Sequence, residues 1–202
     1  MANYDRKDGL YKQAKASGYR SRAFFKLEEI QKKHKIIKKG DKVIDMGAWP
    51  GGWLQCARKF VGSSGLVTGI DLVEIDPFEN KNIFTIKGDL RDPEPIEEAL
   101  SLADGKYDVL VSDMSPKLSG IKDADRLASV ALLELAAFLA AQVLRVGGSF
   151  VAKGFKCNET EEFIRATRPA FSKLVRLELK STRKTSKEFY IVGFGYKGNS
   201  SQ

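Results

Sequence analysis

From residue 42 to residue 170 the chain alternates between short apolar segments and longer segments of helical period, and this alternation constrains the fold more than any other feature. Residues 42–46, 66–71, 83–87, 107–113 and 149–153 read as strands, and residues 52–61, 95–103, 123–145 and 159–170 as helices. Strands such as Val43-Ile44 and Val109-Leu110-Val111 are apolar on both faces. Neither face can be given to water, so helices must cover both, as in a mostly parallel sheet. Residues 174–179 and 188–196 are two more strand patterns across a basic connection, 180–187, and are expected to close the sheet as an antiparallel hairpin. An α/β fold with a mostly parallel seven-stranded sheet is the expectation.

The 202 residues suit one domain. It is expected over 21–197, after a loosely ordered basic arm over 1–20 and before a disordered tail over 198–202. Its first helix should start from Ser21 as cap, bury Phe24, Leu27 and Ile30, and end before Gly40. The longest apolar stretch, 128–146, is interrupted by Glu134, Gln142 and Arg145, so no membrane span is expected. Residues 1–15 lack the apolar core of a secretory leader, and Cys56 and Cys157 are too few for a disulfide framework or a cysteine zinc site. A cytoplasmic, monomeric protein without a metal is expected, with His34, the one histidine, exposed among lysines.

Charge is unevenly divided. Residues 1–42 hold 13 Lys or Arg against 5 Asp or Glu, whereas residues 43–202 hold 21 of each. Within the latter, residues 173–197 hold 7 basic against 2 acidic. A mildly acidic middle between two basic ends suits a polyanion gripped by the ends and an acid-lined site for something smaller. Lys12, Lys15, Arg20, Arg22 and Lys26 are the candidate nucleic-acid contacts, and Tyr19, Phe24 and Phe25 beside them could stack bases or pack in the core.

The segment Asp45-Met46-Gly47-Ala48-Trp49-Pro50-Gly51-Gly52-Trp53 joins the first strand to the next helix, where open α/β folds bind ligands. Gly47, Gly51 and Gly52 allow close backbone approach. The spacing puts Trp49 where a dinucleotide site needs its second glycine, and no Gly-Lys-Ser/Thr follows for a nucleotide triphosphate. Instead, Asp71 ends the second strand and can take both ribose hydroxyls, and Asp89 ends the third and can meet an adenine amino group. Carboxylates without a phosphate binder fit a cationic adenosine ligand, S-adenosylmethionine.

At this point the chain resembles the FtsJ-type (RlmE-type) ribose 2'-O-methyltransferases of RNA. The resemblance runs from about Tyr11 to Tyr196 and is carried by Ser21-Arg22-Ala23-Phe24-Phe25-Lys26-Leu27, the Asp45 to Trp53 segment, Ser112-Asp113-Met114-Ser115-Pro116, Val151-Ala152-Lys153 and Ser186-Lys187-Glu188-Phe189-Tyr190. It implies a Rossmann-like S-adenosylmethionine-dependent methyltransferase fold. It also implies a catalytic tetrad of Lys26, Asp113, Lys153 and Glu188, and cofactor contacts at Gly51, Trp53, Asp71, Asp89 and Asp113 beside the glycine loop. Trp49 departs from the small residue usual in the family and is expected to bear on the methionine end of the pocket.

A ribose 2'-hydroxyl is a poor nucleophile, so its methylation needs a base and in-line placement. Lys153, ending a buried strand, is the candidate base. An ordinary lysine has a pKa of ~10.4, so the role asks for a site that favours the neutral amine. Burial and a second ammonium, Lys26, act in that direction, and Asp113 and Glu188 act against it. The plainer readings are that Glu188 pairs with Lys184 or Lys187 and that Asp113 merely ends a strand. The resemblance implies a uridine of large-subunit ribosomal RNA as substrate, within the particle, with the transfer RNA anticodon loop as the competitor. A non-catalytic RNA-binding protein would show a broken tetrad or glycine loop, and neither is broken here.

Overall fold

A computed structural model describes residues 8–117, 119–183 and 186–198. The first seven residues of the expected arm, Lys184, and residues 199–202 of the expected tail lie outside the described residues. In chain order the elements are α1 (Gly9–Ala16), α2 (Phe24–His34), β1 (Lys42–Met46), α3 (Gly52–Val61), β2 (Leu66–Asp71), β3 (Ile83–Lys87), α4 (Pro93–Leu102), β4 (Tyr107–Ser112), α5 (Lys122–Val143), β5 (Leu144–Phe155), α6 (Asn158–Thr167), β6 (Phe171–Leu177) and β7 (Glu188–Tyr196).

Among the described residues seven strands form one sheet in the order β3-β2-β1-β4-β5-β7-β6. Pairing from β3 through β5 is parallel, and β7 runs antiparallel to both β5 and β6. The closing hairpin therefore does not simply extend the edge: β7, its second strand, inserts beside β5, and β6 becomes the edge.

Alternate side chains of each strand feed two cores, one on each face. Ile44, Met46, Ile70 and Leu110 join Leu133, Ala136 and Leu139 of α5 on one face. Val43, Val67, Val109 and Val111 join Phe24, Leu27 and Ile30 of α2 and Leu54 and Ala57 of α3 on the other. By length and composition α5 is apolar enough to cross a membrane, although Glu134 and Gln142 interrupt it. Here it is a covering helix, with Val130, Leu133, Ala136, Leu139, Ala140 and Val143 buried.

Two differences at the N-terminal end have clear causes. Part of the expected loose arm is helix α1, whose N-terminus Asp8 caps by accepting from the Tyr11 N–H at 3.0 Å. Asp8 also pairs with Arg22 and, at 3.2 Å, with Arg183, so tertiary ion pairs hold a helix that has little apolar period of its own. Ser21 does not cap α2, whose N-cap position is Ala23. A Cβ on Gly52 would strike the Ser21 hydroxyl, which is instead buried against the glycine loop.

Candidate active site

The loop between β1 and α3 opens at the carboxyl ends of β1, β2 and β4. Gly47 sits at φ 79°, and a Cβ there would strike the Met114 side chain, so only glycine lets the two loops meet. A cleft of about 1060 Å³ lies over these strand ends, lined by Gly47, Trp49, Asp71, Asp89, Asp113 and Met114 with an apolar wall of Leu72, Leu90, Ala131, Leu132 and Leu135.

Four of the residues expected at the cofactor, Gly47, Asp71, Asp89 and Asp113, thus share one cleft. Gly51, Gly52 and Trp53 are not among the described residues that line it. Gly51, at φ 108°, faces Phe78 and Arg20, and Gly52 faces Ser21. Trp53 is buried, donates its indole N–H to the Ala23 carbonyl at 2.7 Å and lies 5.8 Å from the Tyr190 ring. These three form the back of the loop. Trp49 is 56% exposed and gives its backbone N–H to Asp71 at 2.9 Å, so it stands at the Asp71 end of the cleft.

Asp71 and Asp89 are held in fixed orientations. Asp71 also accepts from the Val73 N–H at 2.9 Å. Hydrogen bonds from the Arg91 guanidinium and its backbone N–H pull the half-buried Asp89 carboxyl down to about 2. Beneath them is a carboxylate that sequence reasoning did not single out. Asp45 is 1% exposed, and its Oδ2 has no hydrogen-bond partner among the described residues. Burial, then the charges of Asp113 and Asp71, push the Asp45 carboxyl well above its ordinary value. A buried, unpartnered carboxyl on the first strand of an α/β sheet is visible only once the neighbouring carboxylates are placed around it.

Lys26, Asp113, Lys153 and Glu188, scattered over 163 positions of the chain, meet at the same edge. The Lys153 amine lies 3.1 Å from the Asp113 carboxylate, and it donates to the Asp113 carbonyl at 2.7 Å and to the Ser115 hydroxyl. Lys26 lies 2.7 Å from Glu188 and 3.5 Å from Asp113. The Tyr190 hydroxyl donates to Asp113 at 2.7 Å, and the Thr182 hydroxyl to Glu188 at 3.1 Å. Burial alone would raise the Asp113 carboxyl. The ammonium groups of Lys153 and Lys26, with the Tyr190 hydroxyl, outweigh it and hold the group below its ordinary value. Tyr190 moves the other way, raised by burial and by the Asp113 and Glu188 charges. Ser115, Thr182 and Tyr190 are thus part of the cluster, although only their place inside or next to the motifs hinted at it.

Glu188 is brought in by the segment before β7. Glu29 of α2 accepts the N–H groups of Lys180 and Ser181 at 2.8 and 2.9 Å, and Arg22 donates to the Ser181 carbonyl at 2.5 Å. Arg22 is therefore a clasp between α1, α2 and this segment. Arg20 is a clasp as well. It donates to the Asp76 and Pro77 carbonyls at 2.6 Å each and stacks on Phe78 at 3.5 Å. Both arginines, expected at the nucleic acid, hydrogen-bond to carbonyls of the chain and, for Arg22, to Asp8, whereas Lys12 and Lys15 on α1 are exposed. Phe24 is fully buried, stacked on Tyr19 at 3.5 Å, so it is a core residue and not a base-stacking platform.

The solved structures that share this fold include a chain described as a ribosomal RNA methyltransferase from Plasmodium falciparum, with a TM-score of 0.77 and 26% identity over 90% of this chain and 100% of that one. A fibrillarin from Aeropyrum pernix, solved with S-adenosylmethionine bound, has the same fold at a TM-score of 0.57 and 17% identity, over 78% of this chain and 68% of that one. Curated relatives called ribosomal RNA large subunit methyltransferase E are 44% identical in Methanothermobacter thermautotrophicus, over 96% of this chain and 92% of that protein. In Marinobacter nauticus the relative of that name is 42% identical, over 94% and 91%. The sequence model of the FtsJ-like methyltransferases matches residues 19–196, a span that holds the glycine loop, the carboxylate cleft and all four residues of the lysine–carboxylate cluster: the chain belongs to the FtsJ-like methyltransferase family.

Proposed function

We propose that the protein methylates a ribose 2'-hydroxyl, that of a uridine in large-subunit ribosomal RNA, with S-adenosylmethionine as donor. The observation that carries this reading is the joining of two things at one sheet edge: a carboxylate cleft and a buried lysine amine beside it. The residues present fit the donor. A cluster of Asp45, Asp71 and Asp113, with the buried Asp45 carboxyl unpartnered, suits a cationic ligand, and the apolar wall suits an adenine. Asp71 would take the ribose hydroxyls and Asp89 the adenine amino group, with Gly47 giving the backbone approach. Bound there, the donor supplies an electrophilic methyl on a sulfonium.

In its neutral-amine form, reached by first releasing a proton, Lys153 would take the hydroxyl proton as the oxygen attacks: the proton passes from the oxygen to the lysine nitrogen, an oxygen–methyl bond forms, and the electron pair of the broken methyl–sulfur bond stays with the donor's sulfur. Asp113 orients Lys153 through its carboxylate and its carbonyl. Lys26, held by Glu188, points its ammonium at the same centre and orients the acceptor. Gly51, Gly52 and Trp53 act from behind, fixing the loop against α2. Lys12 and Lys15 meet phosphates at the rim.

Incubation with labelled donor and large ribosomal subunits, naked ribosomal RNA or transfer RNA, followed by mapping of the product, tests the proposal. Label on a ribose 2'-oxygen of large-subunit RNA is the expected result. Label confined to transfer RNA, or on a base, overturns it.

Asp45 gives a second test. Its folded-state pKa is raised, so its contribution to stability is present below the unfolded value of 3.8 and lost as pH rises through the folded one. At neutral pH burying this group therefore opposes folding, and Asp45→Asn should raise the melting temperature of the donor-free protein. The same change should weaken donor binding about tenfold or more, because the carboxyl able to balance the donor's positive charge from beneath the cleft is lost. Unchanged donor affinity by calorimetry would remove Asp45 from the donor site.

A further inference from the structure

Much of the N-terminal basic excess does not lie near the reaction centre. Lys32, Lys33, Lys35, Lys38 and Lys39 cluster at the C-terminal end of α2, which rises ~1.5 Å per residue, so Lys33 stands ~10 Å beyond Lys26 along the helix. Strand β7, rising ~3.4 Å per residue, carries Phe194 ~20 Å beyond Glu188. Helix and strand lead to the same place. The His34 ring is 5.7 Å from the Phe194 ring, and the Lys173 amine lies over Phe194, 6.0 Å from the centre of its ring. Both rings are half-buried and the lysines exposed.

This cluster is built on a fixed frame. Gln31, buried, clamps the backbone of Ile37 with both ends of its amide, accepting at 2.9 Å and donating at 2.6 Å. Ile36 and Ile37 are buried in the core, and Lys35 closes the helix in a left-handed conformation at φ 50°. The lysines are thereby presented on a turn that has already lost its backbone freedom, so binding need not supply that ordering. Lys32 is paired with Glu28. Among the described residues, Lys33, Lys35 and Lys173 form no ion pair. Burial, then the Lys33 and Lys173 charges, hold the His34 imidazole below its ordinary value, which marks both ammonium groups as its neighbours. Flat rings set among unpaired cations are what a phosphate backbone with accessible bases requires.

We propose that the surface formed by Lys33, His34, Lys35, Lys173 and Phe194 is a second RNA-binding site, which engages the substrate RNA away from the nucleotide that is methylated, ~10 Å past Lys26 along α2 and ~20 Å past Glu188 along β7. It rests on the RNA methylation reading and extends the footprint to the opposite end of β7. A strand stacked as in a duplex, at ~3.4 Å per nucleotide step, covers the β7 distance in about six nucleotides.

The test compares wild type with a Lys33→Gln, Lys35→Gln, Lys173→Gln variant, binding naked large-subunit ribosomal RNA and a uridine tetranucleotide over a series of salt concentrations. All three side chains are solvent-facing, so an unchanged melting temperature is expected and is measured first. Against the long RNA, loss of three phosphate contacts should lower the slope of log K on log salt by about 2, at ~0.7 per contact, with affinity about 10- to 100-fold weaker at low salt. Tetranucleotide binding should not change, and Lys→Arg replacements at the three positions should keep the wild-type slope. An unchanged slope on long RNA overturns the proposal. An equal loss on the tetranucleotide overturns it too, since the effect would then not be remote. A loss seen only with assembled subunits would assign the surface to an acidic protein partner instead. Wild type that binds RNA with the expected slope yet methylates none would refute the enzymatic reading alone.

Discussion

Replacing Lys153 by arginine should lower single-turnover methyl transfer at neutral pH by about 10²- to 10⁴-fold, the usual contribution of a positioned general base. Donor binding should stay within a few-fold of wild type. The Lys153 side chain is 4% exposed and meets the Asp113 carboxylate, the Asp113 carbonyl and the Ser115 hydroxyl. A guanidinium can occupy those acceptors, but it does not give up its proton in a protein and so offers no lone pair to a hydroxyl. Arginine is larger than lysine, so Lys153→Met serves as the companion variant: it keeps an apolar stem of similar length and also lacks a base. Both should lose activity together, with folding checked by melting temperature. An arginine variant that turns over at near the wild-type rate would eliminate the base role.

The second large effect is expected at Asp113, where a single carboxylate holds Lys153 at 3.1 Å, Lys26 at 3.5 Å and the Tyr190 hydroxyl at 2.7 Å. Asp113→Asn keeps the shape and removes the charge. The buried Lys153 ammonium then faces only neutral acceptors, and breaking a buried pair from one side costs about 3–5 kcal/mol of stability. Activity should fall by about 10² or more, because Lys153 loses the group that orients it. The pH dependence has a definite sign. The folded-state pKa of Asp113 lies below the unfolded 3.8, so its stabilisation is complete above that unfolded value and is lost as pH falls through the folded one. The stability gap between wild type and variant, read by denaturant unfolding, should therefore be constant at neutral pH and close in acid below 3.8. A gap that stays open in strong acid would show that the Asp113 charge is not its source.

The strand segments Lys42–Met46, Leu66–Asp71, Ile83–Lys87 and Glu188–Tyr196 stand where their apolar patterns put them, because the runs of apolar residues in them need helices or neighbouring strands to cover them. Helix α3 likewise begins where the glycine loop ends. Helix α1 was not legible, since ion pairs from Asp8 to Arg22 and Arg183 hold it and those partners are distant in sequence. Nor was the place of β7 between β5 and β6. A hairpin can add either of its strands to a sheet edge, and local pattern does not distinguish them. The arginines at 20 and 22 read as nucleic-acid contacts because a cation beside aromatic residues looks the same whether its partner is a phosphate or a carbonyl of the same chain. His34 read as exposed because its neighbours in sequence are lysines, whereas Phe194, from the far end of the chain, covers one side of it.

What the sequence by itself determined is the layered α/β arrangement, the glycine loop at a strand end and the residue types that the family shares, all of which depend on local period and spacing. Tertiary structure alone decided which charges face one another. It set Asp45 unpartnered beneath Asp71 and Asp113, turned Arg20 and Arg22 inward, and carried the lysines after α2 away from Lys153. Electrostatic interaction depends on distance through space and on burial, and neither is fixed until the sheet has brought distant segments of the chain together.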